Sequence, residues 1–326
     1  MRILVTGGLG TIGRPLVAEL RRQGHSVVAC DLYHSGEPYY YRCDVAEWRQ
    51  WERLFESDVP APFDLVYHAA AEFGRRNGEE YYEQLWRTNV IGTKHLIRLQ
   101  ERFGFKMVFF SSSEIYGERA LMLSEDLPDR AGTKPLNDYA ISKWTSELQI
   151  ANSIRQFGAR TVTVRLFNVY GPGEYYTPYR SAVCQFIHAA LTKSPITVYA
   201  GNKRSFLYVD DCIRTLTRLA ERFNPGAIYN VASTDVRTMQ RISELVLDAV
   251  GVDDSHIRYD AMEAGNAAGK HPSVDRAVRD LGHDPRVDLV TGIARTVEWQ
   301  RSIRRPLPGA EHTPDRHGER ECFPVA

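Results

Sequence analysis

Short apolar runs alternate with stretches whose apolar residues recur at helical spacing through the first half of the chain. "RILVTGG" is a β-branched run cut off by glycines, and "GRPLVAELRRQG" after it reads as an amphipathic helix. "SVVACD", the helical "EWRQWERLFES" and the run "FDLVYHAA" repeat the pattern, followed by a long helix over "EQLWRTNVIGTKHLIRLQERFG" that Gly104 stops. "KMVFFSSS", "YAISKWTSELQIANSIRQFG" and "RTVTVRLFNVYG" then supply strand, helix and strand. Strands alternating with helices of this length predict βαβ units, and so an α/β fold with a doubly wound parallel sheet covered on both faces.

From about residue 172 the regularity breaks. "GPGEYYTPYRS" is rich in turn formers and aromatics and reads as a lid or pocket segment. A helix over "AVCQFIHAALTK", the strand-like pieces "ITVYA" and "RSFLYV", and a further helix follow. These predict a smaller, less regular α/β region set over the sheet. Residues 305–326 carry prolines and charges with few apolar side chains and are expected to form a disordered tail.

Composition narrows the function classes. The 326 residues are 43% hydrophobic and 25% charged, the composition of an ordinary soluble domain with a substantial core. Lysine plus arginine equals aspartate plus glutamate, 41 each, so no net field draws nucleic acid or an anionic membrane. No apolar run has the length of a membrane span, and "MRILVTGG" lacks the features of a signal peptide. Cys30, Cys43, Cys184, Cys212 and Cys322 are scattered without CxxC or CxxH spacing. They predict neither a disulfide framework nor a metal site, and a reducing cytoplasm is the simple expectation.

"VTGGLGTIG" places Gly7, Gly10 and Gly13 straight after a strand and at the opening of a helix, with Thr11 and Ile12 between the last two. Glycines there let the backbone turn tightly and approach a pyrophosphate, whose charge sits at the helix N-terminus. Asp31 ends the next strand, 18 residues after Gly13. Its carboxylate can accept hydrogen bonds from ribose hydroxyls and would repel a 2′-phosphate, and no arginine or lysine follows before Arg42. NAD is therefore expected rather than NADP. Asp44 and Val45, in "CDV", are the expected contacts at the adenine end.

With these residues in hand, the chain resembles the extended short-chain dehydrogenase/reductase family, specifically its nucleotide-sugar epimerases and dehydratases. The resemblance covers residues 1 to about 300. It rests on TGGLGTIG (6–13), Asp31, Asp44, HAAAE (68–72), TNVIGT (88–93), SSSEIYG (111–117), YAISK (139–143), RLFNVYGPG (165–173) and RSFLYVDD (204–211), in this order and spacing. It implies a Rossmann-type NAD-binding domain over residues 1–171, to which some later segments return. A substrate domain for a nucleoside diphosphate sugar would lie mainly in 172–304. It also implies a homodimer built on the helices near 82–103 and 138–157.

Tyr139 and Lys143 stand one helical turn apart on one face. The lysine cation and the positive nicotinamide would favour the phenolate of Tyr139, which then takes the proton of a sugar hydroxyl. The resemblance gives Lys143 a second bond to the nicotinamide ribose. It makes Ser112 the hydroxyl that binds the oxidised position, and leaves Ser111 structural. Ser113 and Glu114 bear on the reaction type. Dehydratases of dTDP-glucose carry Asp-Glu there, whereas Ser-Glu occurs in GDP-mannose dehydratases and UDP-glucuronate decarboxylases. Glu114 is thus either a base on carbon or a group that orients the sugar.

Ala69, Ala70, Ala71 and Asn89 are expected beside the cofactor. Glu72, Asn168, Tyr199, Arg204 and Lys270 (or its neighbour His271) are expected to hold substrate. Arg75 and Arg76 are either partners for an anionic sugar substituent or solvated surface groups. Asp210 and Asp211 read as a helix cap at the domain interface, and His68 and His271 are not expected to bind metal. The leading expectation is a 4-epimerase that oxidises C4 transiently and reduces it again on the opposite face. A 4,6-dehydratase or decarboxylase using Glu114 is the alternative, and a non-catalytic NAD-binding regulator the remote third.

Overall fold

The computed structural model describes residues 1–57, 63–118, 122–128, 134–263 and 266–304; the expected tail lies outside them. Seven strands make one parallel sheet: β1 (Arg2–Thr6), β2 (Ser26–Asp31), β3 (Tyr40–Arg42), β4 (Leu65–His68), β5 (Lys106–Ser112), β6 (Thr161–Leu166) and, after four short strands, β11 (Ile228–Val231). The short strands are β7 (Val169–Tyr170), β8 (Ile196–Tyr199), β9 (Lys203–Ser205) and β10 (Leu207–Tyr208). The order across the large sheet is β11-β6-β5-β4-β1-β2-β3, and every neighbouring pair is parallel. The chain runs outward one way from β1 to β3 and the other way from β4 to β11, so the order reverses between β1 and β4.

Alternate residues of β1 feed opposite cores: Ile3 and Val5 join one cluster with Leu16 and Leu20 of the first helix, while Leu4 joins Trp51, Leu96 and Ile97 on the other face. Burial on both faces explains why these strands read as unbroken apolar runs. The later region adds β12 (Val236–Thr238), paired antiparallel with β9, and β13 (Ile257–Asp260), paired parallel with β8. Asp211 ties this region to the C-terminal segment by accepting from the Arg286 and Val287 amides, both at 2.9 Å.

Three features depart from the sequence reading. The long helix is two α-helices, Tyr82–Trp86 and Thr93–Phe103, joined by a π-helical stretch over Arg87–Gly92. "RSFLYV" is divided between β9 and β10, which pair in different small sheets. The edge strand β3 has only three residues, none buried, so it left no apolar run to read.

Candidate active site

A cavity of about 540 Å³ opens at the C-terminal ends of β1, β4 and β5, where the strand order reverses. Ligands of open α/β sheets bind at this position because helix N-termini and loop amides converge there. The glycine loop forms one wall. Gly7 has φ +68°, and a Cβ on it would stand 2.8 Å from the Ala70 nitrogen. A Cβ on Gly13 would stand 1.9 Å from the Gly7 carbonyl oxygen, so neither position accepts a side chain. Asp31 fixes the loop by accepting from the Leu9 amide at 3.0 Å and the Leu32 amide at 2.7 Å.

Thr11, Ile12, Asp44, Val45 and Ala69 to Ala71 line the same cavity. The backbone cradle, the open helix N-terminus at Gly13 and the carboxylate at the tip of β2 together fit a dinucleotide with an unmodified ribose.

The reacting end lies against β5 and the helix Asp138–Phe157. Ser112 Oγ accepts from the Glu114 amide at 3.1 Å and lines the cavity together with Tyr139. Burial pushes Tyr139 up to about 12, with Ser112 acting the other way and Glu114 adding to the rise. The expected depression therefore does not arise from the protein alone; the positive charge of a bound nicotinamide would have to supply it. Lys143 Nζ donates to the Phe110 carbonyl at 2.8 Å and lies 6.0 Å from the Tyr139 ring centre. Burial lowers Lys143 to about 7, against the pull of Glu147.

Glu114 is not free. Burial raises its carboxyl, but the nearby charges of Lys270 and Arg204 outweigh that and hold it below the ordinary carboxylate range. It forms an ion pair with the buried Lys270 and accepts from Asn137 Nδ2 at 3.4 Å. Lys270, expected on substrate, instead stands behind Glu114. Ser113 lines the cavity, and Ser111 Oγ donates to Glu147 beneath it.

Other expected residues fall short of the cavity. Asn89 is buried behind it, where it accepts from the Glu72 amide and donates to the Glu72 carbonyl at 2.9 and 2.8 Å. Arg204 is buried and donates to Asn266 Oδ1 and the Lys203 carbonyl, both at 2.8 Å. Tyr199 pairs with Asp260 across β8 and β13 and does not line the cavity. Asn168 and Glu72 do line it, with one Asn168 amide proton already given to the Ser205 carbonyl at 2.9 Å. Arg75 lines it and pairs with Glu263, whereas Arg76 is exposed and lies outside. His68 is buried between the hydroxyls of Thr6 and Thr93 at 2.9 and 3.1 Å, and burial holds it neutral, at about 3.

Several lining residues had no individual signal in the sequence. Glu174, Tyr179, Arg180 and Ser181 come from the turn-rich segment after β7, and Phe73 and Gln84 from the segment after β4. Arg180 lies over the Phe73 ring at 4.7 Å, and its Nε is buried without a hydrogen-bond partner. Only the aromatic, glycine-rich character of residues 171–181 marked that stretch as pocket-forming.

The chain is similar to known proteins. The model of the NAD dependent epimerase/dehydratase family matches residues 3–232. The chain is 29% identical over 318 residues to a UDP-N-acetyl-α-D-glucosaminuronate decarboxylase of Bacillus cytotoxicus, covering 93% of this chain and 98% of the relative. The UDP-glucose 4-epimerase of Thermotoga maritima, solved with UDP-glucose, superposes with a TM-score of 0.84 at 25% identity, over 94% of this chain and 100% of that one. The UDP-glucose 4-epimerase of Thermus thermophilus, solved with NAD, gives 0.81 at 26% identity, over 92% and 99%. The chain belongs to the NAD dependent epimerase/dehydratase family, and its cofactor is NAD.

Proposed function

We propose that the protein is a nucleotide-sugar 4-epimerase, and that the ion pair between Glu114 and Lys270 carries this reading. A carboxylate held ionised by a buried ammonium is a poor base towards a carbon-bound proton, because taking the proton would break the pair. Epimerisation at C4 needs no such base. Bound NAD supplies the acceptor, and afterwards the donor, of the hydride. Tyr139 takes the proton of the C4 hydroxyl and later returns it, Ser112 holds the C4 oxygen, and Lys143 stabilises the phenolate. Glu114 then orients the sugar.

A second reading, decarboxylation of a nucleoside diphosphate uronate, draws support from Arg180. Arg180 lines the cavity and would supply a cation for a carboxylate there, and the Bacillus relative acts on a uronate by its name.

One experiment separates the readings: turnover of UDP-, dTDP-, GDP- and CDP-sugars and UDP-glucuronate in D2O, followed by NMR. A 4-epimerase returns the same hydride and leaves no solvent deuterium on carbon, and Glu114→Gln should retain measurable turnover. Deuterium at C5 with loss of carbon dioxide from the uronate establishes the second reading. Deuterium at C5 or C6 without that loss, together with an inactive Glu114→Gln, points to dehydration and overturns both.

A homodimer is proposed through the helices over 82–103 and 138–157, which expose Trp86, Ile91, Ile141 and Leu148 at 40–52%. Sedimentation should show a dimer that Leu148→Glu weakens; a wild-type monomer at micromolar concentration refutes it. The reducing cytoplasm remains part of the proposal, supported by four buried, free cysteines among the described residues.

A further inference from the structure

Arg75 lines the cavity and opens the short helix Arg75–Glu80. That helix packs beside the reacting end, since a Cβ on Gly78, one turn along, would stand 3.4 Å from the Tyr139 nitrogen. The cation therefore belongs to the sugar end of the cavity. Its guanidinium is already engaged: Nη2 donates to Glu263 Oε1, 188 residues further along the chain, and the two side chains are each 21% exposed.

Glu263 is itself held in place. Its other oxygen accepts from Asn266 Nδ2 at 2.8 Å, and Asn266 Oδ1 accepts from Arg204 Nη2 at 2.8 Å. The Lys203 carbonyl, next to Arg204, accepts from the Lys270 amide at 3.3 Å, and Lys270 pairs with Glu114. Asn266 lines the cavity as well, so the carboxylate of Glu263 is pinned at the cavity wall on the substrate side. Arg75 has a second acidic neighbour in Glu79, at 3.8 Å. That carboxylate is 48% exposed, and a long pair at the surface contributes little.

We infer that Glu263 is a specificity-determining residue: by engaging Arg75, it withholds from the substrate a cation that would otherwise receive a carboxylate on the sugar. A second carboxylate brought to this pair meets the negative charge of Glu263 together with the positive charge of Arg75, and the two largely cancel. A neutral hexose loses nothing by the pairing. The inference rests on the cavity being a nucleotide-sugar site, and it favours an uncharged sugar there over a uronate. Arg180 remains in the wall whichever of the two residues is changed, so its contribution is common to every comparison.

The test is calorimetric binding of UDP-glucose and UDP-glucuronate to the NAD-loaded protein, in the Tyr139→Phe background so that neither sugar is consumed. With Glu263 present, UDP-glucose should bind more tightly. Glu263→Gln keeps an oxygen for Asn266, and should tighten UDP-glucuronate relative to UDP-glucose by about tenfold, the scale of one hydrogen bond to a charged group. Adding Arg75→Gln to that variant should abolish the gain. An unchanged ratio in Glu263→Gln overturns the inference, as does a gain that survives the loss of Arg75, because Glu263 would then act without it. Tighter binding of the uronate with Glu263 in place also overturns it. If neither uridine ligand binds, the same pair of sugars on dTDP gives the same ratio. Deuterium at C5 in wild-type turnover would defeat the epimerase reading, while the shift in binding ratio would still stand or fall by itself.

Discussion

Tyr139→Phe is expected to lower turnover by about 10²–10⁴-fold, the usual contribution of a positioned acid–base group, while nucleotide-sugar binding changes only a few-fold. The phenol hydroxyl acts on a proton in flight, so its loss falls on the transition state far more than on the ground-state complex. The fold should tolerate the change, since only the hydroxyl is removed and the ring keeps its volume on the helix Asp138–Phe157. Steady-state kinetics beside calorimetric binding of the substrate checks both halves. Retention of more than about a tenth of wild-type turnover would rule Tyr139 out as the essential base.

The second large effect is expected from Gly13→Ala, which should abolish NAD binding. The added methyl would lie 1.9 Å from the Gly7 carbonyl oxygen. Gly7 cannot give way easily, because it sits at φ +68° against the Ala70 backbone. The loop must open, and the amides that face the pyrophosphate then lose their convergence. Nucleotide released on denaturing the purified variant, together with NAD calorimetry, measures the effect. The variant should also forfeit the rise in Tm that NAD gives the wild type, since a ligand stabilises only the form that binds it. Wild-type affinity for NAD in Gly13→Ala would refute this account of the loop.

What the sequence determined by itself was everything written in local pattern. The buried strands β1, β2, β4, β5 and β6 announced themselves as apolar runs because both of their faces are covered, and the glycine loop because its close approaches exclude every other residue. That Tyr139 and Lys143 share one helical face was legible too, from their spacing, whereas Ser112 was placed beside them only by the family resemblance. Tertiary structure alone decided the electrostatics. Lys270 lies 156 residues from Glu114 along the chain, and nothing in "GKHPSVDR" says that its ammonium will turn to that carboxylate rather than to a substrate. Arg204 and Asn89 carried motif positions yet stand behind the cavity wall, because hydrogen bonds to Asn266 and to the Glu72 backbone hold them there. The protonation of Tyr139 and Lys143 was likewise hidden, as burial is a property of the packed site and not of the spacing. Charge pairing and desolvation act through space over a few ångströms, and only the fold determines which residues come that close.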